Sequence, residues 1–324
     1  MSSINKKLFK LSYYYISIYI MKILNSVFIL FCVFGCSFAV GIFQSKKNKK
    51  EDKNRVEITG TQLLVTTAFW NVESKIGNAI NGLQHYSSRF KTFMNLKSNL
   101  AVYGDSSSLA HIFAARKHRN QGSVIRLVIE SNYHDFEPCK SHWLKLSNAP
   151  GNYTDPRHVP TIDLGCIWLS KLWLLQKSAD ELPQYDWHLW LDIGLHLQEG
   201  QSINPARFPN LEKLQNLPRN KVIVSGSGFN CLYDESSNYH RQRFENSHCI
   251  AGTSFLIHRD GLKLVIAEFL KAFELCLKFF SSPNITHSAF PCLSDQILMS
   301  HMDPKLVHKI DTVGYGAVAY DLLC

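Results

Sequence analysis

Residues 187–194 read Trp-His-Leu-Trp-Leu-Asp-Ile-Gly, an apolar run that ends on a single carboxylate, Asp192. A short run of aromatic and aliphatic residues that ends on a charge and a glycine predicts a β-strand. In an open parallel sheet, ligands bind outside the carboxyl ends of the strands, near the point where the strand order reverses. Asp192 is therefore the first candidate for a functional side chain.

Strand and helix patterns alternate on both sides of this stretch. Further strands are predicted at 62–70, 100–103, 124–129, 221–225 and 248–258, and helices at 78–96, 106–116, 163–177, 260–280 and 294–302. The helix pattern at 260–280 is the clearest, with apolar residues recurring every three or four positions and Asp260 as the candidate N-cap. Strands that alternate with helices imply parallel pairing through crossover connections. We therefore expect one α/β domain at 61–324, with a mostly parallel sheet and flanking helices.

The net charge of +9 is concentrated at the N-terminus of the chain. Residues 1–60 contain ten Lys and Arg against three Asp and Glu, which leaves a balance of +2 for residues 61–324. Nucleic-acid binding depends on clusters of basic side chains that neutralise phosphates. The nearly neutral folded part therefore argues against a nucleic-acid partner, and the 45% of hydrophobic residues argue against a disordered chain.

The N-terminus also contains a segment long enough to cross a membrane. Residues 23–43 carry no charge over 21 positions, and a helix of that length spans a hydrocarbon layer of about 30 Å. We predict a cytoplasmic tail at 1–22, a transmembrane signal anchor at 23–43 and a charged stem at 44–60. A chain read from Met21 would instead carry a cleavable signal peptide, and a buried core helix is the third alternative.

Both leading interpretations place residues 61–324 in the secretory pathway. The protein would be a single-pass type II membrane protein of the Golgi or ER, or a secreted protein. Asn152 and Asn284 begin N-glycosylation sequons, which agrees with that compartment. Seven Cys follow the membrane segment without the paired spacing of a zinc site, so disulfides are permitted. Free buried thiols remain the alternative for these Cys, and the sequence does not give the pairing.

Five stretches of the chain, taken in order, resemble the HtrL/YibB family, which is grouped with the nucleotide-diphospho-sugar transferases. These stretches are Val65–Trp70, Tyr86–Tyr103, Trp190–Gly194, Ile250–Phe255 and Ser294–Leu298. The resemblance covers about residues 61–323 and lies in the order of the stretches. It implies a GT-A-like, Rossmann-like sheet. It also implies a glycosyltransferase that uses a nucleotide-sugar donor and a glycan, lipid or protein acceptor.

The resemblance assigns several residues to the nucleotide-sugar donor. Thr66, Thr67 and Ala68, at the end of the first strand, would line the base pocket. Asp105, after the second strand, would contact the base or the ribose. Lys171 corresponds to a basic residue of the helix before the acidic strand, where it would stabilise the charge on the diphosphate.

Other residues are assigned to the metal and to catalysis. Asp192 corresponds to the first acidic position of a motif that binds Mn²⁺ or Mg²⁺, and the pair Asp295-Gln296 would lie beside the transferred sugar, with Asp295 and Asp192 as the catalytic carboxylates. Gly252 corresponds to a small residue near the sugar and the acceptor. Gly194 stands where the second carboxylate of the metal motif is expected. A divalent cation would then need another ligand, taken from His287, His301 and His308, or it would bind weakly or not at all.

Structural interpretations of the same residues remain open. Asp192 could cap the turn after its strand, Gly252 could be a packing glycine, and Asp295 could be a charge favoured by the N-terminus of a helix. The missing second carboxylate leaves a non-catalytic lumenal or secreted binding protein with a degenerate GT-A fold as the alternative function. A secreted, disulfide-bearing module without a nucleotide site is a third class.

Overall fold

Seven strands form one sheet at the centre of the described part of the chain. The computed structural model describes residues 62–72, 98–117, 125–148, 153, 159, 161–193, 195, 208–228, 249–281 and 290–323. The strands are β1 (Leu63–Phe69), β2 (Asn99–Gly104), β3 (Ile125–Glu130), β4 (Trp187–Leu191), β5 (Val222–Gly226), β6 (Ile250–His258) and β7 (Val307–Val313). Their order across the sheet is β3-β2-β1-β4-β6-β5-β7.

Six of the seven strands run in the same direction. β1 pairs in parallel with β2 and with β4, β2 pairs in parallel with β3, and β5 pairs in parallel with β7. β6 is antiparallel to both of its neighbours, β4 and β5. The prediction of an α/β fold with a mostly parallel sheet is confirmed for the described residues.

Helices cover both faces of the sheet. They are α1 (Ser106–Lys117), α2 (Cys139–Asn148), α3 (Ile162–Leu169), α4 (Lys171–Glu181), α5 (Leu211–Gln215), α6 (Arg259–Phe280) and α7 (Asp295–Met299). Shorter 3₁₀ turns lie at Tyr133–Asp135, Phe290–Leu293 and Pro304–Leu306, and a π-helical turn lies at Val318–Leu322.

Two of the helix predictions differ from the structure. The single helix expected at 163–177 is two helices, α3 and α4, which meet at Ser170. The Ser170 hydroxyl donates to the carbonyl of Ile167 at 2.8 Å, and such a side-chain bond competes with the regular helix. The N-cap of α6 is His258, whose ring accepts from the Asp260 N–H at 3.2 Å, so the assignment of Asp260 as the cap was wrong.

The core consists of two apolar layers, one on each face of the sheet. Leu64 and Ala68 of β1 face a layer that contains α2, α3, α4, α6 and α7. Val65 and Phe69 face the other layer, which contains α1, α5 and the π-helical turn. Successive side chains of a strand point to opposite faces, so β1 is buried along its whole length. This covering explains why its sequence is a continuous apolar run instead of an alternating one.

Two disulfides join segments of the first layer. Cys139 pairs with Cys166 and links α2 to α3, and Cys276 pairs with Cys292 and links α6 to the turn before α7. Cys249 is disulfide-bonded as well. For these five Cys, the alternative of free buried thiols is therefore wrong.

Several sequence predictions lie outside the described residues. They are the tail, anchor and stem at 1–60, the helix at 78–96, Gly194, His287 and the sequon residues Asn152 and Asn284. Among the helices that are described, none combines the length and the apolar content needed to cross a membrane. The strands and helices given above all belong to the compact unit Thr59–Cys324.

The buried His188 of β4 makes the stability of the fold depend on pH. Its Nε2 lies 3.2 Å from the carbonyl oxygen of Tyr185, and burial lowers the pKa of His188 from 6.5 to about 4. The unfolded chain takes up this proton near pH 6.5, whereas the folded chain stays neutral until about pH 4. The contribution of His188 to the free energy of unfolding is therefore fully present above pH 6.5 and is lost as the pH falls towards 4. This contribution should amount to about 3 kcal/mol.

We expect the variant His188→Gln to have a flatter profile of unfolding free energy between neutral pH and about pH 4, because Gln has no proton to gain. The difference from wild type at the acid end should approach about 3 kcal/mol after correction for the neutral-pH change. Urea denaturation at each pH measures it. Thr312→Val, at a half-buried position of β7 that carries no titratable group, serves as the control with the wild-type slope. An unchanged slope in His188→Gln would contradict the assignment.

Candidate active site

The strand order reverses between β1 and β4. The chain runs outward from β1 through β2 to β3, and then adds β4 on the other side of β1. Because these four strands are parallel, their carboxyl ends lie at the same edge of the sheet. The reversal point at this edge is where open α/β sheets bind their ligands.

A buried ion cluster lies at this edge. The Nζ of Lys171 is 3.0 Å from Oδ1 of Asp192 and 2.8 Å from Oδ2 of Asp295, and it donates to the carbonyl oxygen of Gly252 at 3.0 Å. The side chains of Lys171 and Asp295 are each 4% exposed, and that of Asp192 is 26% exposed. The structure thus brings together four of the residues that the sequence analysis selected from four separate segments.

Each of the three charged residues stands at the end of an element. Lys171 is the first residue of α4, and Asp192 directly follows β4. Asp295 is the first residue of α7, and the side chain of Ser294 caps this helix. A residue at the end of an element can point along the edge of the sheet, so short side chains from different elements reach the same place.

Gly252 reaches the cluster because β6 is irregular at this point. Val224 of β5 pairs with Phe255, whereas Gly226 pairs with Ile250, so β6 has extra residues between the two pairs. A bulge of this kind changes the direction in which backbone groups point. A Cβ on Gly252 would lie 2.7 Å from Oδ2 of Asp295 and 2.6 Å from Cγ of Gln296. Packing therefore requires glycine here, which supports the structural interpretation of Gly252.

Trp190 orients the exposed carboxylate of the cluster. Its Nε1 donates to Oδ1 of Asp192 at 2.6 Å, and its ring centroid lies 5.6 Å from the Nζ of Lys171. The ring also stacks on Phe255, with 6.3 Å between centroids. No role at the site was predicted for Trp190 from the sequence. The available signal was its spacing of two from Asp192, which puts both side chains on the same face of a strand.

The charges in the cluster depend on one another. Burial by itself would lower the pKa of Lys171, but Asp192 and Asp295 outweigh it and raise that pKa above its usual 10.5. Burial raises the pKa of Asp295 to about 6, even though the ammonium of Lys171 opposes the change. Lys171 is therefore charged at neutral pH, and it is the group that keeps a buried carboxylate at Asp295 ionised.

A cavity of about 1020 Å³ opens at the same edge of the sheet. Most of its walls follow β1, β2 and β3, and among the described residues they include four carboxylates and no Lys or Arg. The lining residues are Trp70, Asn71, Val72, Asp105, Glu130, Ser131, Asn132, Tyr133, His134, Asp135 and Asp163. An uncharged, hydroxyl-rich ligand suits such a surface, because carboxylates accept hydrogen bonds from hydroxyls and repel phosphates.

Contacts between aromatic and polar side chains hold one wall of the cavity in place. The rings of Trp70 and Tyr133 meet edge to face, with 5.8 Å between centroids. Tyr133 donates its hydroxyl to Oδ1 of Asp163 at 2.9 Å, and Trp70 donates its Nε1 to the carbonyl of Ser131 at 2.6 Å. Ser131, Tyr133 and Asp163 were not among the site residues predicted from the sequence. Only the position of 131–135 after a predicted strand indicated this wall.

Asp105 lines the cavity, but its carboxylate already has several partners. One oxygen accepts from the N–H of Ser108 and the hydroxyl of Ser107, and the other accepts from the hydroxyl of Ser108 and the N–H of Asn71. Partial burial opposes ionisation, but these hydrogen bonds lower the pKa of Asp105 to about 2. Asp105 therefore caps the start of α1, and its predicted contact with a base or ribose stays a prediction.

The other predicted donor residues lie in the interior. Thr66, Thr67 and Ala68 are buried within β1, and the hydroxyl of Thr66 donates to Ser178 of α4 at 3.2 Å. The residues of this segment that do line the cavity come later, at 70–72. Gln296 is half-buried beside Gly252. The predicted roles of these four residues in donor binding stay predictions.

The donor set at Asp192 does not fit a divalent cation. Its Oδ2 accepts from Lys171, and its Oδ1 accepts from Trp190 and lies 3.0 Å from the Nζ of Lys171. Within the described ranges, no group of three or more His, Cys, Asp or Glu side chains is arranged to hold a metal ion. His301, one of the predicted additional ligands, is buried with its Nδ1 2.6 Å from the carbonyl of Ile297, and His308 lies in β7.

Two of the solved structures that are similar to this chain are glycosyltransferases. No protein-family model matches the chain, and a search of curated proteins gave no match. The crystal structure of mouse xyloside xylosyltransferase 1 in its apo form is similar with a TM-score of 0.44 and 13% identity, over 78% of this chain and 85% of that one. A glycosyltransferase involved in glycosylation of the major capsid of PBCV-1 has a TM-score of 0.31 and 10% identity, over 77% and 81%.

We expect Gly252→Ala to lower the free energy of unfolding by about 1–3 kcal/mol, because the added methyl group overlaps Asp295 and Gln296. Urea denaturation measures the change. Thr253→Ala is the matched control, since it alters the adjacent position without adding an atom near Asp295. A Gly252→Ala chain as stable as wild type would show that the cluster can shift to make room.

Proposed function

We propose that the chain is a glycosyltransferase that transfers a sugar from a nucleotide-diphosphate sugar to a glycan, lipid or protein acceptor. One observation carries the proposal. The cluster of Lys171, Asp192 and Asp295 and the cavity of about 1020 Å³ lie at the same edge of the sheet, beside the reversal of strand order. An extended ligand with a nucleoside at one end and a sugar at the other needs two such neighbouring sites.

The chemistry of the two sites suggests which part of the donor each would take. The cavity has aromatic rings at Trp70 and Tyr133 and acceptors for hydroxyl groups, so it suits a nucleoside. Asp192 is the exposed carboxylate of the cluster and suits a sugar or an acceptor hydroxyl. Because the cavity walls repel phosphates, we place the diphosphate between the two sites, outside the cavity.

Transfer would break the bond between the anomeric carbon and the diphosphate oxygen, and the electron pair would leave with the diphosphate. A new bond would form between the anomeric carbon and the acceptor oxygen, whose proton would pass to a base. Asp192 is the candidate for this base, because its side chain is partly exposed and an acceptor can reach it. The buried Asp295 would act through Lys171, and its direct role as a base, expected from the resemblance, stays a prediction.

A binding protein without transferase activity is the second candidate. Two observations favour it: Gly194 replaces the second carboxylate of the expected metal motif, and Lys171 already neutralises Asp192. Such a protein would keep the cavity and the cluster but would bind its ligand without chemical change.

A thermal-shift screen of UDP-, GDP- and CMP-sugars, followed by a transfer assay, separates the two candidates. A donor at about one hundred times its Kd should raise Tm by about 5 °C or more. In Asp192→Asn, turnover should fall about a hundredfold or more, because the acceptor hydroxyl loses its base. Glu181→Gln, a surface carboxylate of α4, is the control with unchanged turnover. Stabilisation without turnover favours the binding protein, and no stabilisation by any nucleotide sugar contradicts both.

We also propose that this activity belongs to a type II membrane protein of the Golgi or ER, related to the HtrL/YibB family. The uncharged segment at 23–43 and the sequons at Asn152 and Asn284 support this location. Intact-mass analysis of the chain recovered from membranes should find residues 1–43 retained. A mature chain that begins near Val40 would instead indicate a cleaved signal and a secreted protein.

A further inference from the structure

We propose that the ammonium of Lys171 is the resident cation of this site and takes the place of a divalent metal between Asp192 and Asp295. Asp192 is then a hydrogen-bond acceptor for a ligand hydroxyl and not a metal ligand. Lys171 is a positioning residue, because it touches no ligand itself. Only the identity of the ligand rests on the proposed function; the assignment of the cation rests on the geometry of the cluster.

Four oxygen atoms surround the ammonium of Lys171. An ammonium has three N–H donors, and Nζ lies within 3.2 Å of four oxygens, two on Asp192, one on Asp295 and one on the backbone of Gly252. These oxygens come from two carboxylates and a carbonyl, which are the hard ligands that Mg²⁺ and Mn²⁺ prefer. The oxygens that could form a metal site therefore surround an amine.

A metal could not use Asp192 without removing this amine. Divalent cations bind oxygens at about 2.0–2.2 Å, so a metal placed between the two carboxylates would overlap Nζ. The Lys171 side chain is buried, and moving it would leave Asp295 buried without its counter-charge. Removing one partner from a buried ion pair is strongly destabilising, because it leaves an uncompensated buried charge. Binding to Asp192 alone would have to offset that loss of stability.

The contacts of Asp192 leave one place for a ligand. Oδ1 accepts from Trp190 and lies 3.0 Å from the Nζ of Lys171, whereas among the described residues only Lys171 donates to Oδ2. The side chain is 26% exposed, the largest value in the cluster. Lys171 and Trp190 therefore fix the orientation of the carboxylate and leave Oδ2 free to accept a second hydrogen bond from a hydroxyl.

Manganese binding measured on the full chain without nucleotide tests the assignment. The free Mn²⁺ signal in electron paramagnetic resonance should give the same binding curve for wild type and for Asp192→Asn. A drop in Mn²⁺ affinity of about tenfold or more in Asp192→Asn would overturn the proposal, since that is the effect expected of a lost metal ligand. This result does not depend on whether any nucleotide sugar binds, so it is distinguishable from a failure of the proposed function.

Lys171→Ala provides the converse experiment. It leaves two carboxylates and a carbonyl around an empty volume, so Mn²⁺ affinity should rise about tenfold or more over wild type. The gain should disappear in the double variant Lys171→Ala/Asp192→Asn. A folded Lys171→Ala chain without any gain would overturn the proposal.

Amine labelling of the wild type keeps the proposal falsifiable if Lys171→Ala does not fold. Mass spectrometry after acetylation of the native chain should find Lys171 unmodified, whereas Lys271, whose side chain is 69% exposed, should react. Addition of Mn²⁺ together with UDP should leave Lys171 protected. Labelling of Lys171 that appears only with the metal would show that the metal displaces the amine, and it would overturn the proposal.

Discussion

One buried ammonium, that of Lys171, connects the parts of this fold that meet at the ligand-binding edge. A charge taken out of water is stable only when opposite charges and hydrogen-bond acceptors replace the lost water. Lys171 finds these partners on the loop after β4, on the bulge of β6 and at the start of α7. All of these segments must be in place before the charge is compensated, so the cluster forms as one unit.

The first apolar layer makes this unit rigid through covalent bonds and close packing. One disulfide joins α2 to α3, the helix that leads into Lys171, and another joins α6 to the turn that leads into Asp295. The helix α3 and the turn before α7 also contact each other. A Cβ on Gly165 of α3 would lie 2.6 Å from Cβ of Leu293, which belongs to this turn. The ends of the two helices that carry the ion pair are therefore fixed by their neighbours as well as by their own charges.

The sequence predicted the strands that are buried on both faces and the helix that buries one regular apolar stripe. β1, β4 and α6 were found within a few residues because continuous apolar runs and a regular helical stripe depend on local chemistry. β7 was missed, since its residues 307–313 alternate between half-buried and exposed positions at the edge of the sheet and carry little apolar signal. The division of 163–177 into two helices was missed because it depends on the hydroxyl of one serine.

For the site, the sequence by itself determined the candidates: a carboxylate after an apolar strand, a lysine on the preceding helix, a glycine in a later strand and an aspartate at a helix start. Only the tertiary structure decided that these residues share one cluster, that Lys171 faces inward to both carboxylates, and that the cavity is lined by 70–72 and 130–135. The physical reason is the separation along the chain of the residues that interact. Strand and helix patterns arise from neighbours along the chain, whereas ion pairing and cavity walls depend on which distant segments the sheet order places side by side.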